Sequence, residues 1–112
     1  MSSPTGTAFP APGMAAYGVA KGALVVLTRY MAREWGEWNI RANAIAPGLI
    51  VDDRHVTADA IASNPVYRAL LDRTSLRRPG VPADLAGVVA FLASDAARFV
   101  SGALIPVDGC RF

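Results

Sequence analysis

The chain has 112 residues, enough for one small domain, with 53% apolar residues and only 18% charged against a usual share of about a quarter. That composition excludes intrinsic disorder, and a net charge of +2 with Arg77-Arg78 as the only adjacent basic pair excludes a nucleic-acid partner. The single cysteine, Cys110, excludes an internal disulfide framework and offers no metal-ligand spacing.

The opening stretch, 2–13 (SSPTGTAFPAPG), is rich in Pro, Gly, Ser and Thr and is predicted as a loop. From Met14 to Trp38 the pattern is helical, with Tyr17, Lys21, Leu24, Thr28, Met31 and Trp35 on one face. Val19, Ala20, Ala23, Val25, Val26 and Leu27 make its first half apolar nearly all round, so burial on more than one side is expected. Charge returns at Arg29, Arg33, Glu34 and Glu37, where the helix should emerge into solvent; Trp35 and Trp38 read as packing at its end. Asn39 is a plausible stop before Ile40–Ala46, an apolar run suited to a buried strand that Pro47-Gly48 ends.

Residues 49–63 show no clean period. Asn64-Pro65 resembles an N-cap with proline at the first helical position, opening a short helix through about Asp72. Residues 73–81 form a loop, Pro82 starts a second clear helix carrying Leu85, Val88, Val89 and Leu92, and Ser94-Asp95 caps a further turn through Phe99. A last strand, Leu104–Val107, closes on Asp108-Gly109.

Helices alternating with strands imply an α/β fold with a parallel sheet. Two parallel strands cannot cover both of their faces with the helices available, so these residues are expected to form a single partial domain. The longest apolar stretches are broken by Arg29, Arg33 and Pro47 short of a bilayer span, so no membrane partner is expected. No signal-peptide pattern is visible, which makes the cytoplasm the default compartment.

One lysine stands against ten arginines, and that lysine, Lys21, lies one helical turn after Tyr17. Residues at i and i+4 share a face. A lysine can press a compact charge against one neighbour where the arginine fork cannot, and a cation beside a tyrosine favours the phenolate. The pair reads as a tuned acid/base. His55, the only histidine, has no partner at ligand spacing and reads as a surface residue rather than a metal ligand.

With those residues in place, the chain resembles the C-terminal half of a short-chain dehydrogenase/reductase over essentially its whole length. The match is carried in order by Ser2-Ser3-Pro4-Thr5-Gly6, PGMAAYGVAKGAL with its Y-x-x-x-K pair, IRANAIAPGLI, RRPGVPADLAGVVAFLASDAARFVSG and IPVDG. The resemblance implies the C-terminal part of a Rossmann-like doubly wound parallel sheet (long helix, strand, helices, strand), with the N-terminal nucleotide-binding part absent. It implies an oxidoreductase using NAD or NADP on a small carbonyl or secondary-alcohol substrate, and a homo-oligomer in full-length form. Tyr17 would pass the proton, Lys21 would tune it and hold the nicotinamide ribose, and Ser3 would hydrogen-bond the reacting oxygen, with Ser2 as the alternative. Pro47, Gly48 and Ile50 match the motif beneath the nicotinamide, the Ile50 main chain bonding the carboxamide.

Asp52 stands where the family often has a cofactor-holding threonine, and Asp52 and Asp53 read as solvated acids. Cys110 stands where a second glycine is usual, and reads as a buried or interface thiol. The family's Gly-rich pyrophosphate turn has no counterpart here, so this chain alone is not expected to bind the dinucleotide well. The alternative is an inactive truncated fragment that acts at most as an oligomerisation or interaction module. The substrate loop, residues 50–78, fits polyol and sugar-acid dehydrogenases as well as 3-oxoacyl carrier-protein reductases.

Overall fold

A computed structural model of the chain describes residues 1–52 and 57–111. Its regular elements are α1 (Ala15–Trp35), β1 (Ala44–Pro47), α2 (Ala58–Ser63), α3 (Pro65–Asp72), α4 (Pro82–Ala93) and β2 (Leu104–Val107), with single 3-10 turns at Pro4–Gly6, Gly36–Trp38 and Asp95–Ala97. The two strands pair in parallel, Ala44 opposite Leu104 through Pro47 opposite Val107. On its other side β1 takes the main chain of the opening segment, Ser2 N donating to the Ile45 carbonyl at 2.8 Å. The α/β class and the parallel pairing expected from the sequence are present.

Local chemistry explains most boundaries. The long helix tightens into a 3-10 turn before Asn39, whose left-handed φ of 58° stops it as expected. Asn64 caps α3, its side chain accepting from Val66 N at 2.9 Å, with Pro65 first in the helix. Pro82 opens α4 and Leu104–Val107 is the last strand, both as read from the sequence.

Other local features depart from the sequence pattern or add to it. The strand predicted over Ile40–Ala46 begins only at Ala44, because residues 41–43 bond the 94–103 connection instead of a ladder. Asn43 donates to the Val100 carbonyl at 2.9 Å and accepts from Ala103 N at 3.0 Å, and Arg41 donates to the Ser94 and Val100 carbonyls. The unpatterned 49–63 stretch contains a short helix, capped by Thr57, whose side chain accepts from Ala60 N. Ser94 stands at the N-cap position of the next turn as expected, its carbonyl accepting from Ala97 N, but its hydroxyl donates back to the Phe91 carbonyl at 2.8 Å. The opening loop holds a 3-10 turn, capped by Ser3.

The core is small: Val25, Ala44, Ile45, Ala46, Val51, Ile61 and Ala97, with no large side chain fully buried among the described residues. A compact protein of 11.7 kDa exposes about 5,900 Å² and has a radius of gyration of about 13 Å. This chain exposes 7455 Å² with a radius of 15.5 Å. The excess includes large apolar side chains of α1, Val19 at 74% exposed, Val26, Leu27 and Tyr30, and Phe99, fully exposed after α4. The apolar faces of α1 are therefore bare here, where the sequence pattern called for burial. Trp38 is also left 64% exposed, so the packing expected at the helix end is not made. Among the described residues no helix is long and apolar enough to cross a membrane.

What joins the opening segment to α1 is a contact between glycines. A Cβ added to Gly6 would stand 2.6 Å from Gly22 N and 2.8 Å from the Gly18 carbonyl oxygen, both backbone atoms that cannot step aside. Gly6→Ala is expected to lower stability by about 1–3 kcal/mol through overpacking. Gly87→Ala, in α4 with open space around it, should instead be neutral or raise stability by up to about 1 kcal/mol. Urea denaturation of the two variants beside the parent measures both.

Candidate functional site

The glycine contact sets two side chains beside each other. It fixes the Pro4–Gly6 turn against the first turns of α1, so Ser3, the residue before the turn, faces the stretch of helix that carries Tyr17. Ser3, Tyr17, Pro47 and Gly48 line one cleft of about 170 Å³, together with Pro4, Thr5, Met14, Leu49, Leu70, Thr74 and Arg111. Pro47-Gly48 arrives at the carboxyl end of β1, the end at which ligands bind in parallel sheets. Gly48 passes so close to the other strand's end that a Cβ would meet Asp108 Cα at 2.7 Å. Tyr17 is 42% exposed and open to the cleft.

The two opening serines differ in position. Ser2 is buried, and its hydroxyl donates to the Lys21 carbonyl at 2.7 Å, a link between the segment and the helix backbone. Ser3 lines the cleft, its hydroxyl oxygen accepting from Thr5 N at 3.3 Å, which leaves its proton for another acceptor. Lys21 stands behind Tyr17: its ammonium lies 5.4 Å from the centre of the tyrosine ring, within cation–π range, and donates to the Met1 carbonyl at 3.4 Å.

Ile50 lies in an adjoining cleft of about 270 Å³ that shares Leu49 with the first and is also lined by Arg78, Gly80 and Asp84. Ile50 bridges Gly80 in parallel: Gly80 N donates to the Leu49 carbonyl and Val51 N donates to the Gly80 carbonyl, both at 2.9 Å. Because successive groups along a strand alternate in direction, the N–H and C=O of Ile50 itself face away from Gly80. They are a donor and an acceptor side by side, matched to a primary carboxamide.

The turn that carries Gly80 is clamped. Arg78 donates twice to Asp84, at 2.7 and 3.0 Å, and Asp84 also accepts from Val81 N at 2.9 Å. Those bonds, the guanidinium first and the Val81 amide second, hold the Asp84 carboxyl below its ordinary 3.8, down to about 2. The pair is at the surface, so its effect is to fix geometry more than to add stability.

Other expectations fare less evenly. Asp52 is partly buried and engaged rather than a solvated acid. Cys110 is exposed, not buried, and adopts φ 60°, the left-handed conformation that makes glycine the easier residue there. Asp53 and His55 lie outside the described residues. No group of side chains suited to a metal ion occurs among the described residues. The sequence reading missed Leu70, Thr74 and Arg111 as cleft residues. Thr74 is buried, with its hydroxyl donating to the Leu70 carbonyl at 2.9 Å, and nothing in the 73–81 pattern marks it.

Comparison with known proteins follows the same outline. A sequence profile described as enoyl-(acyl carrier protein) reductase matches residues 1–110. The chain is 44% identical over 97 residues to a cyclohexanol dehydrogenase of Rhodococcus sp. (strain TK6), covering 87% of this chain and 35% of that protein. Among solved structures it superposes on a short-chain type dehydrogenase/reductase from Mycobacterium ulcerans with a TM-score of 0.85 at 38% identity, covering 96% of this chain and 38% of the other. On a 4-hydroxyisoleucine dehydrogenase complexed with NADH the TM-score is 0.82 at 36% identity, with 96% and 43% covered. The chain thus spans roughly two fifths of the length of the proteins it matches.

The Asp84 clamp gives a pH window. Its carboxyl is depressed on folding, so the order it imposes is complete above 3.8 and lost as pH falls from there towards about 2. Amide exchange at Gly80 and Val81, followed by NMR, should show protection independent of pH above that window and declining within it. Asp84→Asn should show the lower protection at every pH.

Proposed function

The chain belongs to the short-chain dehydrogenase/reductase family of oxidoreductases, and on that premise we propose that residues 1–112 are the catalytic C-terminal half of an NAD- or NADP-dependent enzyme acting on a small carbonyl or secondary alcohol. The observation that carries this is the gathering of Ser3, Tyr17, Pro47 and Gly48, distant in sequence, into one cleft at the carboxyl end of β1.

The nicotinamide, when bound, donates or accepts the hydride. The chain's own residues do the rest. In the reducing direction negative charge develops on the substrate oxygen, and a hydroxyl donor already in place stabilises it without reorganisation. Ser3 is that donor, because its oxygen is held by Thr5 N and its proton is left to point elsewhere. Tyr17 delivers the proton as general acid, and takes it back in the oxidising direction. Lys21, with its ammonium beside the tyrosine ring, would hold the cofactor ribose. Ser2 is the structural member of the serine pair, its proton committed to the Lys21 carbonyl.

The fit to the cofactor rests on Ile50. Its N–H and C=O, turned away from the Gly80 bridge, would hold the carboxamide, with Pro47 and Gly48 beneath the ring. A structural relative carries NADH, which supports a nicotinamide cofactor for the family. The exposed apolar side chains of α1, Val19, Val26, Leu27 and Tyr30, support a homo-oligomeric enzyme in which those faces are covered.

Tyr17→Phe is expected to lower kcat by at least about 10²–10⁴-fold, the range of a lost general acid. Ser3→Ala should lower it by about 10²–10³-fold with little change in cofactor KM, and Ser2→Ala should act on stability instead. Steady-state kinetics of the full-length enzyme on a panel of cyclic and linear secondary alcohols, with NAD and NADP in turn, together with the melting temperature of each variant, checks all three. Full activity of Tyr17→Phe would remove the reading.

A further inference from the structure

The cleft that holds Ser3 and Tyr17 is lined by apolar and neutral side chains with one exception, Arg111. Its guanidinium carbon sits 5.2 Å from the centre of the Phe9 ring, within cation–π range, and the same two residues also line a neighbouring cavity with Asp108. The Arg111 main chain is tied down, by an antiparallel bridge to Thr74 and by Ser75 N donating to the Cys110 carbonyl at 3.0 Å. Yet the charge is not answered. Arg111 Nε is buried with no hydrogen-bond partner, and the ion pairs formed among the described residues join Arg77 to Asp72 and Arg78 to Asp84, not Arg111 to any acid. A buried unpartnered donor is uncommon enough to need a reason. The reason available here is a ligand.

We propose that Arg111 selects the substrate of this cleft, and that the substrate is a short oxo or hydroxy acid whose carboxylate is held by Arg111 while its carbonyl or alcohol reacts at Tyr17. The proposal rests on the assignment of Tyr17 and Ser3 as the reacting pair. A guanidinium presents parallel N–H donors matched to the two oxygens of a carboxylate. One cation in an otherwise uncharged wall balances one negative charge, which favours a carboxylate over a phosphate near −2. Pro4, Met14, Leu49 and Leu70 line the rest of the cleft and suit a short hydrocarbon chain between the two ends of such a molecule. The fork is held before the ligand arrives, so little ordering is required on binding.

The test is calorimetric binding of a homologous series of short oxo acids and their methyl esters to the full-length enzyme with oxidised cofactor, where no turnover takes place. At least one acid should bind the parent about 10- to 100-fold more tightly than its ester, the range for hydrogen bonds to a charged group. Arg111→Met, which keeps a stem for Phe9, should abolish that preference and leave ester binding within about 3-fold of the parent, inside the usual context spread of such effects. Arg111→Lys, which keeps the charge but loses the fork, should retain part of it. Equal binding of acids and esters by the parent overturns the proposal. So does an acid preference that survives in Arg111→Met, or a Met variant that loses esters and acids alike while keeping the parent's melting temperature. Tyr17→Phe should keep the acid preference in binding while losing turnover. If the parent prefers acids but reduces none of them with either cofactor, the oxidoreductase reading fails and the Arg111 site stands.

Discussion

The arrangement depends on how closely one turn of chain can lie against one helix. Gly6 meets α1 where the helix offers Gly18 and Gly22, and backbone touches backbone with no side chain between. Helix carbonyls and amides ordinarily lie beneath a layer of Cβ atoms, so a contact at this distance requires glycine on both partners. The segment that makes it is also bonded to the sheet, through Ser2 N and the Ile45 carbonyl, and to the helix, through the Ser2 hydroxyl and the Lys21 carbonyl. Residues 2–6 therefore fasten α1 to β1. The distance from Ser3 to Tyr17 follows from that fastening and not from any direct bond between the two.

The second half of the site is built on a different principle. Parallel strands end together, and here β1 and β2 end in Pro47-Gly48 and Asp108-Gly109, turns that stack because Gly48 has no side chain to hold Asp108 away. Beyond them the chain doubles back in irregular segments held by short bridges, Ile50 to Gly80 and Thr74 to Arg111. A bridge of that kind fixes one residue and leaves the groups on its other side turned outward. Ile50 owes its outward amide and carbonyl to the Gly80 bridge, and Gly80 owes its position to the Arg78–Asp84 clamp. A surface ion pair that contributes little to stability can still set the geometry of a neighbouring chain edge.

How far the sequence discloses this depends on whether the determining physics is local. Asn64-Pro65, Pro82 and the Leu104–Val107 strand were legible because a cap, a fixed φ and a short apolar run act within a few residues. The Tyr17/Lys21 face was legible for the same reason, helical spacing being a local rule. The strand start at Ala44 was not, since it is decided by what Arg41 and Asn43 bond some 60 residues away. Of the two readings of Cys110, burial is set aside because its φ of 60° places it on an exposed turn. The bare faces of α1 were half legible: the pattern called for partners, and the exposed Val19 and Val26 show that this stretch of chain does not supply them.

Lys21 and Arg111 mark the limit of reading charge from sequence. Lys21 stands out as the chain's one lysine, yet the fold places it behind Tyr17 and outside the cleft lining, its ammonium over the ring it faces. Arg111 is one of ten arginines and carried no signal beyond its place beside Cys110. Its significance arises from what surrounds it: an aromatic ring under the fork, a cleft without an acid, and a buried Nε with nothing to bond. A charge held in place and left unanswered is costly unless something answers it in use. The two cations differ in what the fold gives them, the lysine a ring to face and a carbonyl to bond, the arginine a ring and a cleft edge.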